Sequence, residues 1–148
     1  MKPLQCTLLL LAAVILTAGC NKLRDAAVKQ KIANDLKCLC DAYGQYYSAR
    51  GHGPSSVDDL DALATGDAEL QGDLNAVREG KYVLIWNVDV HAAGQTNAGM
   101  SFTVLGYERK VPETGGLVLM VDGTVLEMKP EKFAKAQKGD ALDKNRPG

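Results

Sequence analysis

Leu117-Val118-Leu119-Met120-Val121-Asp122-Gly123-Thr124-Val125-Leu126-Glu127-Met128 is the stretch that decides how this chain folds. Two apolar runs flank an aspartate-glycine pair, the strongest short-range hairpin signal. The reading is a strand over Leu117–Val121, a turn, and a strand over Thr124–Met128. Upstream, Pro112 to Gly116 reads as a turn and Ser101 to Tyr107 as a further strand carrying Phe102, Val104 and Leu105. Lys81 to Val90 is the clearest strand, with Val88 and Val90 alternating against Asn87 and Asp89 in its second half. Ala92 to Gly99 reads as a flexible connection. Downstream, Pro130 opens a last short helix over Glu131–Gln137, and the charged tail after Lys138 reads as disordered.

Ahead of these strands the period changes. Val28, Ile32, Leu36, Leu39, Tyr43 and Tyr46/Tyr47 recur at steps of three and four, which predicts one long helix from about Lys22 to Ser48. Its first two turns carry few large apolar residues and read as a stalk. Gly51, Gly53 and Pro54 end it. Ser55 or Ser56, followed by Asp58-Asp59, caps a short second helix whose buried side is Leu60 and Leu63. Ala64 to Leu74 reads as a surface loop. A long helix followed by an antiparallel meander is an α+β pattern. The expectation is a long N-terminal helix packed on a small, about four-stranded antiparallel sheet, with a short C-terminal helix.

The N-terminus speaks to address. Lys2 precedes the apolar run Leu8–Leu16, which is followed by Thr17-Ala18-Gly19 and then Cys20. A basic start, a short apolar core and small residues make an export signal. A cysteine directly after the small residues makes it a lipoprotein signal, in which the sulfur receives a diacylglycerol and the chain is cut before Cys20. The competing readings are a plain secretory signal and an uncleaved membrane helix, for which the run falls short of the roughly 20 apolar residues a bilayer needs. The domain plan is a signal peptide at 1–19, a lipid-anchored basic helical stalk at 20–35, an α+β domain at 36–138 and a tail at 139–148. Localisation follows as cell envelope, exported and membrane-anchored.

Removing Lys2 with the signal leaves 16 of the 17 Lys and Arg residues against 18 Asp and Glu, a side-chain balance of −2. That gives no general case for nucleic-acid binding. Lys22, Arg24, Lys29, Lys31 and Lys37, against Asp25 and Asp35, make a basic stretch beside the anchor. It suits anionic head groups or, equally, an ordinary solvated helix face. Cys6 leaves with the signal and Cys20 takes the lipid. Cys38 and Cys40, two apart on a helix, cannot bond each other. Cys40 falls on the apolar side and reads as core; Cys38 falls off it, as a free thiol or a partner in an intermolecular disulfide.

No constellation of residues amounts to a catalytic, cofactor or metal site. His52 sits in a turn and His91 ends a strand; neither stands at metal-ligand spacing with Asp89 or Cys38. Ser101, His91 and Asp89 lack a nucleophile elbow. Asp122 is explained by its turn, and Asp58, Asp59 and Asp61 by a solvated helix start. Trp86, Tyr43, Tyr46 and Tyr47 offer a binding patch, but most of them read as packing between helix and sheet.

Leu36-Lys37-Cys38-Leu39, Ala42-Tyr43 and Tyr46, then Gly53-Pro54 before Asp59-Leu60, stand in a telling order with Gly80-Lys81-Tyr82-Val83, Tyr107-Glu108 and Val111-Pro112-Glu113-Thr114-Gly115-Gly116. With Val118–Val125, Met128 and Phe133, this order resembles the soluble domain of the type II secretion pseudopilins, and more narrowly the prepilin-like family of planctomycete bacteria. The resemblance spans about Leu36 to Lys138 and implies the fold; it brings no catalytic residues. Pseudopilins carry a peptidase site and a long apolar helix where this chain has a lipoprotein signal and a charged helix. The resulting expectation is a non-enzymatic, lipid-anchored envelope protein acting as an accessory or scaffold through an unidentified protein partner. The alternative is a periplasmic ligand-binding or sensor lipoprotein.

Overall fold

Helix α1 runs from Leu4 to Arg50 without a break. The computed structural model describes the backbone of residues 4–90 and 103–138, and the side chains of 22–90 and 103–136. His91, the Ala92–Gly99 connection, Ser101, Phe102 and the tail after Lys138 lie outside the described residues. Contacts divide the chain into units at residues 1–32 and 33–148. In the first, residues 22–31 are all exposed. Val28 is among them, although its spacing places it on the apolar face of α1; the buried face begins at Ile32, which is half-buried. Periodicity assigns a face and says nothing of where its cover begins.

In the second unit α1 buries Leu36, Leu39, Ala42 and Tyr43. A 3-10 turn follows over Val57–Leu60. The acidic cap expected there is present as a capping box, with Ser56 at the N-cap and Asp59 three residues on. Asp59 Oδ2 accepts from Ser55 N and Oγ, both at 2.7 Å, and from Ser56 N at 3.2 Å. Asp58 and Asp61, expected to be merely solvated, both meet Arg78, at 2.9 and 2.7 Å. Ala64–Leu74 is not a loop throughout. Helix α2 covers Ala68–Arg78 and buries Leu70, Asp73 and Leu74. Asp67 caps it by accepting from Glu69 N and Leu70 N, both at 3.0 Å. Gly80, at φ +72°, closes it with Gly80 N→Val77 O and Lys81 N→Ala76 O, the paired bonds of a Schellman end.

The sheet is α+β as expected, in the order β1 (Tyr82–Leu84), β2 (Thr103–Glu108), β3 (Gly116–Met120), β4 (Val125–Met128), all antiparallel. Between β2 and β3 the chain makes a short helix α3 (Val111–Thr114) where a turn was expected. Glu108, buried at the end of β2, accepts from Leu117 N at 2.6 Å and meets Lys110 at 3.2 Å. Helix α4 (Pro130–Lys135) lays Phe133 against Val104, Val111, Val118, Met120 and Met128. The chain then adds β5 (Gln137–Lys138), parallel to β2 on the side β1 occupies, where the last helix was expected to continue. On the other face Tyr82 and Leu84 turn toward α1, as the bond from Tyr82 to Asp35 of that helix requires.

Two turns differ from their sequence signals. The β3–β4 connection is the three residues Val121-Asp122-Gly123, since Met120 N bonds Thr124 O at 2.8 Å. Gly123 alone takes positive φ, +82°, as in a type I turn with a bulge. The strand expected over Lys81–Val90 ends at Leu84. Asn87 adopts φ +58° and swings the chain out, its N–H going to Pro54 O at 2.8 Å. The next N–H, of Val88, is met by the buried Tyr43 hydroxyl at 2.8 Å. Gly53 must be glycine here, because a Cβ would come within 2.6 Å of the Tyr43 hydroxyl and 2.7 Å of Val88 O.

Burial pushes the Tyr43 hydroxyl up from 10.0 to about 12, the Val88 bond opposing. Its neutral form is favoured in the fold, so this contribution is complete below pH 10 and lost as pH climbs toward 12. Tyr43→Phe orphans a buried N–H, at a cost of about 1–3 kcal/mol. The expected outcome is a lower urea midpoint at unchanged m and a shallower alkaline loss of stability; unchanged values of both contradict the role.

Candidate functional site at the seam of α1 and α2

Three buried or half-buried polar side chains of α1 stand at the seams of the second unit. Asp35 accepts from the Tyr82 hydroxyl at 2.8 Å, both residues being buried. Cys38, three residues on, is half-buried and hydrogen-bonded to Asp73 of α2. Asp73 is itself buried, 4 % exposed. Tyr43 reaches Val88 as described above. A charge taken out of water must find partners or it neutralises, so Asp35 and Asp73 define where β1 and α2 can dock.

The chemistry of this cluster is set by burial and by its carboxylates. The Cys38 thiol is pushed up to about 12, first by burial, then by the bond to Asp73 and the charges of Asp73, Asp67 and Glu69. Burial, with Asp41 and Asp122, pushes Cys40 to about 11. Tyr82 is likewise raised, first by burial and then by its bond to Asp35. Each group is held in its neutral, proton-donating form at neutral pH. A thiol so held is a poor nucleophile and metal ligand, since the thiolate does that work. Among the described residues, no group of three or more His, Cys, Asp and Glu could hold a metal ion. Cys38 and Cys40 are both free thiols in the structure, and both are half-buried, including Cys40, which its position on the apolar side had pointed to as core.

Two open grooves flank the Asp41–Gln45 edge of α1. One, about 430 Å³, lies against the N-terminus of α2, lined by Lys37, Cys38, Asp41, Asp67, Glu69 and Leu70 among others. The other, about 460 Å³, lies toward the β3–β4 turn, lined by Cys40, Gly44, Val121, Asp122 and Gly123 among others. Both are mixed in polarity.

The remaining sequence candidates are dispersed. Cys20 lies within helix α1, and its side chain is outside those described. His52 faces Tyr46, ring centroids 5.8 Å apart, in the turn after α1. Asp89 accepts from the Tyr47 hydroxyl at 2.8 Å, and Asp122 from Thr124 N at 2.9 Å. The structure brings together Asp35, Cys38, Asp73 and Tyr82, a group the sequence reading did not assemble. The missing signal was α2: Asp67 and Gly80 are its cap and stop, and Leu70, Leu74 and Val77 its apolar steps. No protein-family model, curated protein or solved structure matches the chain. Among the described residues no helix is long and apolar enough to cross a membrane.

If Asp73 holds the Cys38 proton, removing its charge lowers the thiol pKa and raises the thiolate fraction. In iodoacetamide labelling at pH 8, Asp73→Asn is expected to speed Cys38 while leaving Cys40 unchanged. Equal acceleration at both cysteines would mean loosened packing, and no change at either would remove Asp73 from the account.

Proposed function

We propose that this protein is an exported lipoprotein. Cys20 carries the acyl anchor, and the α+β domain behind it serves as a non-enzymatic accessory or scaffold in a secretion or envelope assembly. The observation that carries the reading is Cys20 itself, placed directly after Leu8–Leu16 and Thr17-Ala18-Gly19. More than one acyl chain gives a stable anchor where one gives only marginal binding. The pseudopilin-like part rests on the resemblance over Leu36–Lys138, and the α+β order is what such a domain requires. Open grooves of mixed polarity beside α1 and thiols held protonated favour surface contact with a protein over turnover of a substrate. Among the described residues the two grooves are open and mixed in lining, whereas the ligand-binding alternative calls for a concave, largely apolar pocket.

Metabolic labelling with palmitate in a bacterial host tests the anchor. The wild-type protein is expected to take the label and stay with membranes until detergent is added, while Cys20→Ala takes none. Label in Cys20→Ala, or a wild-type protein that is unlabelled and soluble, contradicts the reading. Crosslinking on intact cells tests the second half; recovery of no stoichiometric partner contradicts a scaffold.

A further inference from the structure

We infer that one face of α1 between Cys20 and Lys31 lies along the bilayer surface, Leu23 in the head-group layer and Arg24 and Lys31 on anionic phospholipid head groups. This rests on the lipid anchor proposed above and adds an orientation and a lipid preference to it. The chain is helical through this stretch. Positions 23, 24, 27 and 31 follow position 20 by three, four, seven and eleven residues, spacings that return to one face of a helix. They hold Leu23, Arg24, Ala27 and Lys31, whereas Asp25, the one acid between positions 22 and 31, steps off that face.

A second observation points the same way. Leu23 at 74 % and Val28 at 51 % are the exposed large hydrophobics among the described residues, and both fall in this basic stretch. Apolar side chains left in water among lysines and arginines are the composition of segments that lie in a membrane interface. The orientation follows from requiring that both bases meet lipid phosphate. At about 1.5 Å per residue, Lys31 is about 16 Å along the axis from Cys20, while charge is felt over about 8 Å at physiological salt. A helix standing upright on its anchor would carry Lys31 out of range; one lying on this face keeps both bases at the lipid phosphates.

The test uses the lipidated protein purified from membranes, with Leu23→Trp as reporter in a Trp86→Phe background. It is reconstituted into brominated phosphatidylcholine vesicles with or without phosphatidylglycerol, and tryptophan quenching is read. Quenching is expected to deepen with phosphatidylglycerol. The gain should be lost in high salt and in Arg24→Glu/Lys31→Glu, yet persist in Lys22→Glu/Lys29→Glu, which changes charge equally on other faces. Equal quenching in both lipids, or equal loss from both charge reversals, overturns the inference while leaving the anchor standing. A protein that enters neither vesicle lacks acyl chains and overturns both.

Discussion

The hydroxyl of Tyr82 meets the carboxylate of Asp35 at 2.8 Å in a place neither can reach water freely, and the second unit is arranged around that contact. Apolar burial of Leu36, Leu39 and Tyr43 would hold α1 against the sheet without fixing its register, because such burial has no direction. A buried carboxylate does have direction, since leaving it unpaired is strongly destabilising. The Tyr82 bond therefore helps fix the register of β1 against α1. One turn along the helix, Cys38 and Asp73 do the same for α2, and Tyr43 does so for the segment after β1. Three docking contacts come from three positions on one helix, each joining it to a different part of the chain.

The same chemistry explains why this seam is quiet. Carboxylates around a half-buried thiol hold its proton, the reverse of the electropositive setting that activates a cysteine. The seam is therefore a structural joint, and the proposed acylation site, Cys20, lies elsewhere on α1, ahead of bases that are exposed.

How much of this was legible beforehand depends on which physical signal each element uses. The long helix and the β3–β4 hairpin were readable because their apolar periods are long and unbroken, and the α+β class followed from them. Helix α2 was not, because Gly72 and a run of small and polar residues hide its two leucines; its caps at Asp67 and Gly80 carried the signal instead. The strand after Lys81 was read too long because Asn87 and Val88 alternate as a strand does, while their N–H groups go to Pro54 and Tyr43, partners more than 30 residues away. The salt links of Asp58 and Asp61 to Arg78 were hidden for the same reason, since their partner sits on the helix that was not seen. The Asp35–Tyr82 pair was out of reach as well: Asp35 reads as one acid in a charged helix until β1 is laid beside it.

The proposed attachment to a membrane through Cys20 is tested most directly by mass spectrometry of the mature N-terminus. The predicted result is a chain that begins at Cys20 with a diacylglyceryl group on its sulfur. An intact Met1, or an unmodified Cys20, would contradict it.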